Sequence, residues 1–104
     1  MVREAAVTTS EAWAGIVRTA SGMRSGWHHH GDYESVIYVL SGALVMESGP
    51  GGADVVEAEP GDFLYVPAGI VHREGNPGAG EAMVVLFRAG SGETVMNVEG
   101  PDQP

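Results

Sequence analysis

The residues in this chain best suited to chemistry are its four histidines, which fall in two short segments: His28, His29 and His30 in "SGWHHHGDYESVIYVLSG", and His72 in "PAGIVHREGN". Imidazole nitrogens bind divalent transition metals at about 2.0–2.1 Å, and a carboxylate beside them completes a nitrogen and oxygen donor set. His28 and His30 are two positions apart, so on an extended strand they project from one face while His29 points to the other. The nearest carboxylate is Glu34; Asp32 is a poor substitute because it sits in the turn. The plain alternative for any one histidine is a surface or hydrogen-bonded core residue, but the confinement of all four to two segments argues against it. A purification tag is also a poor reading, since this run is internal and leads into the strand-like "SVIYVL". Arg18, Arg24, Arg73 and Arg88 are candidates to clamp a carboxylate substrate, because guanidinium binds carboxylate through two parallel hydrogen bonds; a surface salt bridge is the commoner use of an arginine.

The elements that must carry these residues are short. Sixteen glycines and six prolines separate brief apolar runs, the signature of many strands joined by tight turns. Strands are expected at residues 12–20, 35–40, 43–48, 53–58, 62–67, 70–74, 81–89 and 94–98, with loose ends over the first eight or so residues and in "GPDQP". No gap is long enough for crossover helices, so the expected fold is an all-β sandwich or small barrel, best fitted by jelly-roll topology. "EPGD" (59–62) reads as a type II turn with Pro60 and Gly61 at its centre, and "GPGG" (49–52) as a hairpin turn, since it lacks the helix and Lys-Ser/Thr pair of a phosphate loop. Trp27, Tyr38, Phe63, Tyr65 and Phe87 are read as core packing.

Composition narrows the function classes. Five arginines and no lysine stand against fourteen acidic residues, a net charge of −9 that would repel a phosphate backbone and disfavours anionic membranes, so neither nucleic acid nor membrane is an expected partner. No apolar run approaches a membrane span, and "MVREAAVTTSEAW" has no apolar core like that of a secretory signal, which leads to an expected cytoplasmic location. The chain has no cysteine, so any metal must use nitrogen and oxygen ligands, and disulfides and thiol nucleophiles are excluded. One domain is expected over residues 1–104, with its core at about 13–98.

Two ordered motifs carry a family resemblance. Gly61, Pro67, Gly69, His72 and Asn76 match G-x5-P-x-G-x2-H-x3-N throughout, while Gly22, His28, His30 and Glu34 match G-x5-H-x-H-x3,4-E-x6-G up to its closing glycine, Gly42, which comes one residue late. The chain resembles a small single-domain cupin. That resemblance implies a double-stranded β-helix barrel in which His28, His30, Glu34 and His72 converge on one divalent ion, whether iron, manganese, nickel, cobalt, zinc or copper. It also suggests a homodimer, for which the strand from Trp13 to Thr19 is the expected contact.

The extra residue matters because a one-residue slip turns a strand side chain to the opposite face. In the family register the carboxylate position falls on Ser35. Either a β-bulge between Glu34 and Leu40 returns Glu34 to the cavity, the preferred reading, or three histidines hold the ion without it. The fold hosts many chemistries, so the function expected is a metal-dependent enzyme of oxygenase, isomerase or lyase type acting on a small organic molecule, with no separate organic cofactor and no identifiable catalytic residue beyond the metal ligands. The alternative is a non-catalytic module that binds a metal or small ligand. Asn76 reads first as a turn residue.

Overall fold

The computed structural model describes residues 1–90 and 95–101. Ten strands occur in chain order and no helix is present among the described residues: β1 (Val2–Thr8), β2 (Ala12–Thr19), β3 (His28–His29), β4 (Glu34–Ser41), β5 (Leu44–Ser48), β6 (Asp54–Ala58), β7 (Phe63–Val66), β8 (His72–Gly75), β9 (Ala82–Ala89) and β10 (Met96–Asn97). They form two antiparallel five-stranded sheets, β1-β2-β9-β4-β7 and β10-β3-β8-β5-β6. The expected strands thus occur wherever they can be compared; Thr94 and the last three residues of "GPDQP" lie outside the described residues.

Alternation builds the core between the sheets. On β4 the inward residues are Ser35, Ile37 and Val39, and on β9 they are Ala82, Val84, Leu86 and Arg88, with the intervening side chains more exposed. Val17, Leu44, Met46, Ala58 and Val66 join Ile37, Val39, Val84 and Leu86 in one cluster, against which Trp13, Leu64 and Ile70 pack. A period-two stripe buried on one face is what a half-buried antiparallel strand requires.

Two expectations are corrected here. The first eight residues are not a loose end: Val2–Thr8 pairs along β2, although every side chain of that strand is exposed. Its order comes from the backbone ladder, which leaves no buried stripe for a sequence reading to find. In consequence the Trp13–Thr19 segment has no free edge to offer a partner, since β1 covers one side of β2 and β9 the other. The aromatic residues differ as well. Phe63, Tyr65 and Phe87 are 69%, 59% and 46% exposed, because each falls on the outward parity of its strand.

The expected turns form. Gly61 has φ +95° and the Asp62 N–H donates to the Glu59 carbonyl at 2.9 Å, while the Gly52 N–H donates to the Gly49 carbonyl at 2.9 Å across the β5–β6 hairpin. The β4 ladder to β9 slips between Val39 and Ser41, so a bulge at Leu40 accommodates the extra residue before Gly42. Gly42 has φ +76°, and a Cβ there would lie 2.7 Å from the Ala82 Cα. Gly51, at φ +65°, has open space around it. Gly51→Ala should therefore cost only the left-handed backbone, about 1 kcal/mol, and Gly42→Ala about 3 kcal/mol because backbone must also move. Urea denaturation of both variants checks this; equal losses would mean that the close approach of β9 is not constraining.

Candidate metal centre

His28 and His72 face each other as paired residues of β3 and β8. His30, two positions beyond His28, returns to the same inward side, so that all three imidazoles are buried while His29 is only partly so. Their ring centroids are 4.4 Å apart for His28 and His72, 4.9 Å for His28 and His30, and 5.0 Å for His30 and His72. One ring nitrogen from each lies within 4.8 Å of the others. The spacing argument from the sequence thus brings His28, His30 and His72 together.

It does not bring Glu34 with them. Glu34 is exposed on the outward face of β4, and its neighbour Ser35, 2% exposed, faces the interior. The bulge forms at Leu40, beyond the inward run Ser35, Ile37, Val39, and so leaves the parity of Glu34 unchanged. Between His30 and Glu34 the chain makes a turn, closed by the Tyr33 N–H to the His30 carbonyl at 3.0 Å with Gly31 at φ +60°. Strand parity is not transmitted through such a turn.

The carboxylate in the cluster is Glu74, which the sequence reading passed over as part of the spacer between His72 and Asn76. Its Oε2 lies 3.1 Å from His72 Nε2 and 3.8 Å from His28 Nε2. A signal was present: Glu74 follows His72 by two residues on one strand, the same relation that pairs His28 with His30. Ser25 fixes this stretch of β8, its Oγ accepting from the Glu74 N–H at 3.0 Å and its own N–H donating to the Glu74 carbonyl at 2.8 Å.

Hydrogen bonds to the backbone decide which nitrogens face inward. His28 Nδ1–H donates to the Gly26 carbonyl at 2.8 Å and His72 Nδ1–H to the Ile70 carbonyl at 3.0 Å. With Nδ1 protonated in each neutral ring, both Nε2 atoms present lone pairs. His28 Nε2 and Glu74 Oε2 are buried with no hydrogen-bond partner among the described residues. Acceptor atoms on three side chains thus converge, and a positive charge between them is what reconciles them. A proton partly serves: contact with and charge from Glu74 outweigh the larger opposing influence of burial and lift His72 above the ordinary imidazole value. His28, farther from Glu74, is held below that value by burial. Burial pushes Glu74 upward, but His72 and then His28 overcome it and keep the carboxyl below its ordinary value, hence ionised at neutral pH. A divalent cation fits the donor set better, since it satisfies several acceptors at once and a ligating imidazole characteristically donates its other N–H to a carbonyl.

A cavity between the sheets adjoins this cluster. Leu44, Val66, Val84 and Leu86 contribute to its apolar wall, and His30, Ser35, His72, Glu74 and Arg88 to its polar side. Asn76 lies behind it as a structural pin. Its amide Nδ2 donates to the carbonyls of Thr19 at 2.9 Å and Gly80 at 2.7 Å, and its Oδ1 accepts from the Gly78 N–H at 2.9 Å. Asn76→Ala should cost on the order of 3 kcal/mol by leaving buried groups unpaired, and Asn76→Asp at least as much, since a carboxylate would face two carbonyls. Thermal melts test this: a tolerated aspartate would show that only the turn matters.

The family described as "Cupin domain" matches residues 15–88. Among curated proteins none matches the sequence. A conserved protein with a double-stranded β-helix domain from Klebsiella pneumoniae is similar over 94% of this chain and 84% of its own, at 20% identity and a TM-score of 0.79. A cupin superfamily protein from Desulfitobacterium hafniense is similar over 86% of this chain and 77% of its own, at 16% identity and a TM-score of 0.75. A protein containing a cupin-2 domain from Shewanella frigidimarina covers 83% of this chain and 78% of its own, at 16% identity and a TM-score of 0.70. At these identities the likeness establishes the fold.

Proposed function

The chain belongs to the cupin family, and from that premise we propose that it is a metal-dependent enzyme acting on a small organic molecule admitted to the cavity between the sheets. His28, His30 and His72 hold a divalent transition ion, and Glu74 rather than Glu34 supplies the carboxylate. The observation that carries this reading is the convergence of the Nε2 atoms of His28 and His72 on one Glu74 carboxylate oxygen, with both rings fixed from behind by backbone carbonyls.

An ion held in this way supplies Lewis acidity to a substrate oxygen, which suits oxygenase, isomerase and lyase chemistry alike. The protein's own part is orientation and exclusion of water. The Nδ1 bonds stop the rings from turning, the apolar wall limits solvent, and the ionised Glu74 carboxylate offsets the charge of the ion. A module that binds without turnover is the second reading, favoured by the shortage of other titratable side chains on the cavity wall.

Metal titration by calorimetry tests the ligand set. His72→Ala should abolish binding while the barrel still folds on its apolar core. Glu74→Ala should weaken binding by about 10- to 100-fold, and Glu34→Ala should leave it unchanged. Sensitivity to Glu34 with indifference to Glu74 would reverse the assignment.

The proposed assembly is a symmetric dimer through the outer face of the β1-β2-β9-β4-β7 sheet. Val36 pairs across the strands with both Tyr65 and Phe87, and Tyr38 with Phe63, whose rings lie 4.7 Å apart. An apolar patch of this kind marks a contact surface, and a self-complementary one closes by two-fold symmetry. Light scattering at micromolar concentration should give twice the chain mass for the parent and the chain mass for Val36→Glu. A monomeric parent would contradict it.

A further inference from the structure

Four of the five arginines were candidates for binding a carboxylate, and the structure separates them. Arg18 is paired with Glu4 at 2.8 Å and lies 3.6 Å from Glu81, Arg24 is 3.7 Å from Glu47, and Arg73 forms two parallel bonds to Glu47 at 3.0 and 3.1 Å. Arg88 makes no hydrogen bond or ion pair among the described residues, although it is only 5% exposed, and its Nε is buried without a partner. Strand parity turns it inward after Ala82, Val84 and Leu86, and it lines the same cavity as His30, His72 and Glu74.

A second unpartnered group stands beside it. Ser35 is the residue that pairs with Arg88 across β4 and β9, it lines the same cavity, and its buried Oγ has no hydrogen-bond partner among the described residues. Trp13 lies alongside the guanidinium, with Arg88 Cζ 5.8 Å from its ring centroid, a contact that steadies the cation without consuming its N–H donors. Arg3 lines the cavity from β1 and brings a further positive charge. Burial first, and Arg3 second, push the Arg88 guanidinium below its ordinary value against the smaller opposing influence of Tyr33 and Glu74, and no carboxylate among the described residues is close enough to pair with it. A buried, unpaired arginine is costly, and in a chain of net charge −9 the general field does not gather anions. Local donors must do so.

We propose that Arg88 and Ser35 form the binding site for the carboxylate group of a small organic acid, seated in the cavity beside the histidine cluster. The guanidinium fork takes the two carboxylate oxygens, and the Ser35 hydroxyl donates to one of them. The remainder of the acid then lies against the apolar wall, with its other functional group toward His72 and Glu74. The cavity, about 40 Å³ in volume, has room for roughly three waters, so the acid is small. This assignment deepens the reading of the cavity as a ligand site and names its ligand class, but it does not require the metal.

The test uses acetate and glyoxylate as probes and acetamide as the neutral control, titrated into metal-loaded and metal-stripped protein. The readouts are calorimetry and the NMR signal of the Arg88 Nε–H. Saturable binding of the acids, a shifted Arg88 signal and no binding of acetamide are expected. Arg88→Met should weaken acetate about tenfold or more while melting no lower than the parent, because it replaces an unpaired buried charge with an apolar side chain. Arg88→Lys should recover only part of the affinity, and Ser35→Ala should lose about threefold. Equal acetate affinity in the parent and Arg88→Met, acetamide binding as well as acetate, or no saturable binding by the parent would each overturn the proposal. Arg88-dependent acetate binding by a protein that takes up no metal would overturn the metal reading alone; intact metal binding without it would overturn this proposal alone.

Discussion

Two imidazole nitrogens and a carboxylate oxygen, all acceptors, meet inside the barrel, and the rest of the site follows from the need to place positive charge among them. The backbone enforces the meeting. Gly26 and Ile70 take the Nδ1 protons of His28 and His72 through their carbonyls, so neither ring can relieve the conflict by changing tautomer or flipping without giving up a buried hydrogen bond. His28 and His72 are held opposite each other by the sheet itself. The charge requirement is thus built into the fold, and a divalent ion meets it more completely than a single proton shared between His72 and Glu74.

The same parity that builds the core builds the site. On β9 three inward apolar residues are followed by an inward arginine, and on β4 an inward serine is followed by two inward apolar residues. The polar ends of these stripes lie side by side and line one cavity with the histidines, and the apolar residues Ile37, Val84 and Leu86 of the same stripes line that cavity too while belonging to the core cluster. The apolar wall of the site is therefore continuous with the core.

How much of this is legible in the sequence depends on how far parity can be carried. It is reliable within a strand, which is why the His28 and His30 pair and the strand pattern are readable from spacing alone. It fails across the turn at Gly31, which is why Glu34 reads as a ligand and lies outside. Glu74 was within reach of the same rule but sat in a stretch that looks like filler between two matched residues. Strand β1 leaves no trace in hydrophobic patterning, because its side chains are all exposed and it is held by its backbone ladder to β2 and by the Glu4–Arg18 ion pair. The outward aromatics Phe63, Tyr65 and Phe87 were misplaced for a related reason: aromatic residues on strands suit both faces of a sheet when one face is available to a partner, and composition does not say which.

The central claim is that three imidazoles and Glu74 surround a single ion. X-ray absorption spectroscopy on protein reconstituted with one equivalent of zinc or cobalt tests it most directly. The account predicts a first shell dominated by nitrogen and oxygen at about 2.0–2.2 Å, with the outer-shell scattering of three imidazole rings retained in Glu74→Ala and no protein-bound ion in His72→Ala. A first shell with no imidazole scattering, or a spectrum unchanged by His72→Ala, would contradict it.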